Sequence, residues 1–127
     1  MEDETGTAAR EGRRYDHHRM DVYEVAIQFI SWREGALRRL PRSSDLAEQL
    51  TRAASSIALN IAEGCGEYSG PERLRFFRIA RRSATECDAV LDVAAARQLE
   101  APGKLAEGRA LLHRILAMLT VLTRTSR

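Results

Sequence analysis

The sequence predicts an all-α protein, an antiparallel up-down-up-down bundle of four helices. Apolar residues recur every three or four positions in four segments, whereas no segment shows the alternation that is typical of a β-strand. Short breaks rich in proline, glycine or serine separate these segments, so consecutive helices are expected to run antiparallel. The length of 127 residues suits one domain. We expect a disordered tail over residues 1–14, which hold little to bury, and the bundle over 15–125.

Local signals predict where the first two helices begin and end. The first helix is expected to start near Asp16, and its periodicity continues until Pro41 ends it. The segment 43–45, Ser-Ser-Asp, offers N-caps for the second helix. Gly64 or Gly66 is the expected end of that helix, because glycine commonly terminates helices.

Similar signals delimit the third and fourth helices. Ser69 can cap a third helix, and the proline that follows shortly after it suits a first helical turn. Helical periodicity then runs from Leu74 to about Leu99. The segment 101–103, Ala-Pro-Gly, separates it from a fourth helix that contains Leu105 and fades after Leu122.

Composition and charge argue against several classes of protein. The formal net charge is +2, and aromatic residues make up only 6% of the chain. No stretch approaches the roughly 18 apolar residues of a membrane span, and no apolar signal core begins the chain. We therefore expect a cytoplasmic protein without a membrane partner. The two cysteines and three histidines do not stand at metal-ligand spacing, so neither a metal nor another cofactor is expected.

The second and third predicted helices carry polar residues where a bundle buries apolar ones. At about 100° per residue, a polar strip of the second helix lies directly beside its apolar strip. In the third helix, two polar residues interrupt an apolar stripe. We expect these residues to meet in a partly dry polar seam that supports folding and assembly, with Arg52 as the cation for Glu86. The seam consists of Arg52, Ser56, Asn60, Glu63, Ser83 and Glu86.

Two further features concern possible partners of the second helix. The side opposite its apolar strip holds Ala58, Leu59 and Ala62, which are small or apolar where a solvated helix is usually charged. We therefore predict that these three residues form an interface in a homo-oligomer. The less favoured interpretation of the acidic residues is a catalytic carboxylate pair, Glu63 with Glu86, because no nucleophile or metal set accompanies them.

Arginine supplies most of the positive charge, and it is clustered. One cluster, Arg38, Arg39 and Arg42, follows the first helix, and another, Arg75, Arg78 and Arg82, shares one face of the third. The planar guanidinium binds phosphate through two parallel hydrogen bonds, so both clusters are candidates for contacts with RNA or another anion. A solvated face balanced by nearby acids is the alternative interpretation.

One run of residues resembles the signature of a known family. The segment 52–64 reads RAASSIALNIAEG, and it resembles that of the 23S rRNA intervening-sequence proteins of bacteria. Further similarity lies at 21–23 (DVY), 77–80 (FRIA) and 83–86 (SATE), and it weakens in the fourth helix. The family usually has a small residue where this chain has Arg82, so we expect Arg82 to point outward.

The resemblance implies an antiparallel four-helix bundle that assembles into rings, with pentamers among relatives, and no enzymatic activity. A related branch, the accessory proteins of diversity-generating retroelements, binds a reverse transcriptase and structured RNA. The resulting hypothesis is a non-enzymatic, homo-pentameric adaptor for structured RNA or for an RNA-handling protein such as a reverse transcriptase. The alternatives are an interaction or scaffold module that binds only protein, and a hydrolase using Glu63 and Glu86.

Overall fold

The predicted all-α class is confirmed. The computed structural model describes residues 17, 20–38, 40–41 and 44–124, and this part of the chain contains four α-helices and no strand. The predicted tail, residues 1–14, lies outside it. None of the four described helices is long and apolar enough to cross a membrane. The helices are α1 (Asp21–Gly35), α2 (Asp45–Cys65), α3 (Gly70–Ala96) and α4 (Pro102–Leu122).

Each helix packs on two neighbours, and neighbouring helices run in opposite directions. The contacts form the cycle α1, α2, α3, α4 and back to α1. Between α2 and α3, Arg52 contacts Glu86, while Gly64, twelve residues later, lies against the earlier Phe77. In the pairs α1 and α2, α3 and α4, and α1 and α4, the first half of one helix likewise contacts the second half of the other. The bundle is therefore antiparallel and up-down-up-down.

Serine side chains begin two of the helices, as the sequence predicts. Ser44 Oγ accepts a hydrogen bond from the Ala47 amide at 3.2 Å, and Ser69 Oγ accepts one from the Glu72 amide at 3.4 Å. Each bond satisfies an amide that has no partner within its own helix. Pro102 stands in the first turn of α4, where the missing amide hydrogen costs nothing.

The end of α1 differs from the prediction. The helix ends at Gly35, although the apolar periodicity continues to Leu40. Leu37 is fully buried but has a left-handed backbone with φ of 61°, and its amide donates to Glu100 Oε1 at 2.6 Å. The apolar pattern therefore persists beyond the helix because the following loop also packs into the core. Similarly, α3 ends at Ala96, slightly before the predicted boundary.

Two glycines inside helices allow aromatic rings to pack closely between helices. A Cβ atom on Gly108 of α4 would lie 2.5 Å from the ring of Trp32, and one on Gly64 would lie 2.6 Å from Phe77. The Trp32 indole donates to the carbonyl of Lys104 at 3.1 Å, which fixes the ring between α1 and α4. A larger residue at either glycine would have to displace a ring in the interior of the bundle.

The Gly108→Ala substitution is expected to lower the free energy of unfolding by about 1 to 3 kcal/mol, because its methyl group overpacks the Trp32 ring. Urea denaturation measures the change. Gly103→Ala is the matched control, because no described atom outside its chain neighbours and its own helix backbone lies within 4 Å of a Cβ there. That variant should be as stable as the wild type or more so. A Gly108→Ala protein as stable as the control would contradict the close approach of α1 and α4.

Candidate functional site

A hydrogen-bonded network joins α2 to α3 within the predicted polar seam. Ser56 Oγ and Ser83 Oγ lie 2.8 Å apart. Asn60 Nδ2 donates to the carbonyl oxygen and to the hydroxyl of Ser56, at 2.9 and 3.0 Å. Ser83 is buried, and the other two residues are half-buried. The short serine side chains let the two helices approach closely while their hydroxyls remain hydrogen-bonded.

The rest of the predicted seam lies at the surface. Arg52 Nη2 pairs with Glu86 Oε2 at 3.2 Å, as expected, but 67% of the Arg52 side chain and 35% of the Glu86 side chain are exposed. The expectation of a partly dry ion pair is therefore wrong for this chain alone. Glu63 is exposed and stands eleven residues from Arg52, about 16 Å along the helix. The structure thus does not bring Glu63 and Glu86 together as a carboxylate pair.

The three residues of the predicted oligomer interface fall in different environments. Ala58 is buried within the chain itself, Ala62 is half-buried, and 65% of Leu59 is exposed. Ala58 lies two turns before Cys65, whose Sγ contacts Met20 Sδ at the N-cap of α1 at 2.9 Å. This side of α2 is therefore covered by α1, and the prediction that Ala58 needs a second chain is wrong. Leu59 remains a large apolar side chain on the outer face of α2.

Positively charged side chains cluster in a groove between the first half of α3 and the end of α4. Its volume is about 720 Å³. Among the described residues that line it, none is acidic and four are arginines. We call it the arginine groove, and its lining consists of Pro71, Arg75, Arg78, Arg81, Arg82 and Thr123. The groove thus joins the predicted cluster of α3 to one arginine that the prediction did not include.

The arginines of the groove differ in their partners. Arg75 pairs with Glu72 at 3.1 Å, and Arg81 Nε donates to the Thr120 hydroxyl at 3.1 Å. Arg78 and Arg82 are exposed, and neither forms an ion pair within the part of the chain that the structure describes. The outward position of Arg82 agrees with its departure from the family pattern. The groove therefore keeps two arginines available for an external anion.

Helix geometry explains how the groove forms. Arg75, Arg78 and Arg82 follow one another at helical spacing on a single face of α3, and they extend over about 10 Å. Arg81 belongs to an adjacent face and reaches the groove because α4 closes its other side. In double-stranded DNA, successive phosphates on one strand are separated by about 3.4 Å along the helix axis, which gives the scale of a nucleic-acid backbone. The row of guanidinium groups is long enough to contact several of them.

The other predicted arginine cluster is less favourable for an anion. Arg38 is exposed and lines a groove of about 610 Å³ between α1 and α2. The lining of this groove includes the carboxylates of Glu34 and Glu48, which offset the positive charge. Arg39 and Arg42 lie outside the described residues.

Cys87 is not available as a nucleophile. The side chain is fully buried in the core. This burial, together with the neighbouring charges of Glu86 and Asp88, raises the pKa of the Cys87 thiol to about 12. The thiol therefore stays protonated near neutral pH, whereas the thiolate is the reactive form.

Known proteins resemble this chain in sequence and in fold. The family model described as 23S rRNA-intervening sequence protein matches residues 18–121, which confirms the resemblance of the sequence signature. A crystal structure of a protein with unknown function from the S23 ribosomal protein family of Bacteroides thetaiotaomicron VPI-5482 has a TM-score of 0.70 and 18% identity. The match covers 82% of this chain and 95% of that chain, and it concerns the fold alone. The comparison with curated proteins gives no match.

The Glu86→Gln substitution is expected to lower the free energy of unfolding by at most about 1 kcal/mol, because an exposed ion pair gains little in water. By contrast, Ser83→Val should lower it by about 1 to 3 kcal/mol, since it overpacks a buried site and removes a partner of Ser56. Urea denaturation compares the two variants. A loss of about 3 kcal/mol or more in Glu86→Gln would contradict the exposed position of the pair.

Proposed function

Because the chain belongs to the 23S rRNA-intervening sequence protein family, we propose that it is a non-enzymatic, self-assembling adaptor that binds structured RNA through the arginine groove. The observation that carries this proposal is the collection of four arginines in a groove whose described lining residues include no acid. Guanidinium groups remain charged at any physiological pH and match the geometry of phosphate oxygens. The arrangement therefore favours a ligand with several phosphates close together.

Local charge, more than net charge, supports an RNA ligand. The whole chain carries only +2, so its overall field attracts a polyanion weakly. The groove has a much higher positive charge density, and Arg78 and Arg82 are not neutralised by a described carboxylate. Contacts with several phosphates release condensed counterions, and this release favours binding at low salt.

Self-assembly is the second part of the proposal. The outer face of α2 carries the exposed Leu59 beside the half-buried Ser55 and Ala62, and these small neighbours leave it accessible to another helix. Burial of Leu59 against a second copy would remove apolar surface from water. A repeated head-to-tail contact with a closing rotation gives a ring. We take five as the number of subunits from the family resemblance.

A ring would present several arginine grooves to one RNA, which increases the apparent affinity through multivalency. An RNA-handling protein such as a reverse transcriptase is the second partner that we propose for this adaptor.

The alternative is a module that binds only protein, and the exposed apolar side chain of Leu59 is the observation that favours it. The two functions differ in whether the purified protein binds RNA by itself.

The double variant Arg78→Ala, Arg82→Ala is expected to bind a stem–loop RNA more weakly than the wild type. Fluorescence anisotropy at several salt concentrations gives the binding constant and its salt dependence. The slope of log K against log salt concentration should decrease in magnitude by about 2, since two phosphate contacts are lost.

The matched control is the double variant Arg97→Ala, Arg114→Ala, which removes the same charge from exposed positions that do not line the groove. It should keep most of the affinity and most of the salt slope. Equal losses in both double variants would indicate general charge attraction and contradict a defined groove. A wild-type protein that binds no RNA would favour the protein-only module.

The Leu59→Glu substitution is expected to dissociate the assembly, because a carboxylate at that position would lose its water in the interface. Light scattering coupled to gel filtration measures the molar mass. Ile27→Glu is the control, since Ile27 is a partly exposed apolar residue of α1, with 43% of its surface accessible. That variant should keep the mass of the wild type. A wild-type protein that is monomeric at micromolar concentration would contradict self-assembly.

A further inference from the structure

The loop between α2 and α3 carries an aromatic ring that packs against no other residue in the described part of the chain. Tyr68 lies in this loop, and its side chain is as accessible as in an extended chain, at 104% relative exposure. Tyrosine is usually at least partly covered in folded proteins, because its ring is largely apolar. Both faces of this ring are therefore available for an external partner.

The loop itself is held firmly, so the exposure of Tyr68 does not come from a loosely attached backbone. Arg73 Nη1 donates to the carbonyl oxygens of Cys65 and Glu67, at 3.2 and 3.1 Å. The Arg73 guanidinium also lies over the ring of Phe77, 5.7 Å from its centroid. These contacts fix the backbone immediately before Tyr68. A partner that binds the ring would therefore lose little additional backbone freedom.

Tyr68 is also adjacent to the arginine groove. It precedes Pro71, which lines the groove, by three residues, so the Cα atoms of the two are at most about 11 Å apart. Of the two neighbouring phenylalanines, Phe77 is buried, and Phe76 is covered by the guanidinium of Arg75 at 4.4 Å from the ring centroid. The groove thus has one uncovered aromatic ring close to its row of guanidinium groups.

We propose that Tyr68 stacks on an unpaired base of an RNA whose phosphates lie in the arginine groove. The ligand would then be a loop or another single-stranded element next to a stem, and not a continuous duplex. The physical reason is that bases in a duplex are covered by their neighbours, and proteins reach RNA bases mainly where the strand is unpaired. Stacking on an aromatic ring tolerates every base, so the contact selects unpaired structure more than sequence.

This inference rests on the proposed RNA-binding function and adds the class of RNA to it. An exposed tyrosine could also contact a protein, but the adjacent row of arginines favours a ligand that carries phosphates and flat rings together. Nucleotides combine both. The arginines would hold the backbone, and Tyr68 would recognise the absence of base pairing.

The test compares two stem–loop RNAs with the same stem and the same number of phosphates, one with a normal loop and one with an abasic loop. Anisotropy titrations use the wild type, Tyr68→Ala and Tyr68→Phe. The wild type should bind the normal loop between about fivefold and a hundredfold more tightly than the abasic loop. Tyr68→Ala should lose this preference while binding the abasic loop like the wild type, and Tyr68→Phe should keep the preference.

Each other outcome overturns the inference in a distinguishable way. If Tyr68→Ala keeps the preference for the normal loop, base stacking by Tyr68 is wrong, while loss of binding in Arg78→Ala, Arg82→Ala would still support the proposed function. If Tyr68→Ala weakens both RNAs equally, or Tyr68→Phe behaves like Tyr68→Ala, the residue acts by another contact. If the wild type binds neither RNA, the inference and the RNA-binding function both fail. All variants should fold, because the fully exposed Tyr68 packs on none of the residues that the structure describes.

Discussion

The close approach of α2 and α3 determines which side chains of α3 reach the surface. Ser56 and Ser83 bring the two helices together through hydroxyls 2.8 Å apart, and Gly64 gives space to the ring of Phe77 near the other end of the contact. Phe77 and Ser83 both face the interior, so the rotation of α3 about its own axis is fixed. The opposite face of the helix, which carries Arg78 and its neighbours, must then point outward. A larger side chain on either helix would separate them and change this orientation.

The outward face becomes a site only because α4 ends beside it. Thr123 and the last turns of α4 form the second wall of the arginine groove, and Arg81 turns toward this wall to reach Thr120. A row of arginines on an isolated helix would be fully solvated and would attract anions weakly. A groove with one polar wall and no acidic lining residue keeps several guanidinium groups close together, where their attraction for one polyanion adds up.

Sequence periodicity is sufficient for the fold class, and residue chemistry is sufficient for the cap at Ser69, for a cap within residues 43–45 and for the partner of Glu86. The sequence does not predict the burial of a residue where that burial depends on which neighbouring helix covers it. Ala58 looks exposed on a helical projection, but α1 buries it. Leu37 continues the apolar pattern after its helix has ended because the loop that carries it packs into the core, and Glu100 of the distant α3–α4 connection binds its amide. Arg81 and Tyr68 carry no local signal, since their roles depend on the position of α4 and on the shape of a loop.

The proposed site depends on Arg78 and Arg82, the two groove arginines without an ion pair or a side-chain hydrogen bond among the described residues, contacting one phosphate backbone. NMR of the arginine side-chain Nε–Hε groups during titration with a stem–loop RNA detects these contacts residue by residue. We expect the signals of Arg78 and Arg82 to shift together along one binding curve, while those of Arg97 and Arg109 remain in place, because Arg97 lies at the opposite end of α3 and Arg109 pairs with Asp88 and Asp92. Uniform shifts of all arginine signals, or no shift in the groove, would contradict the proposed site.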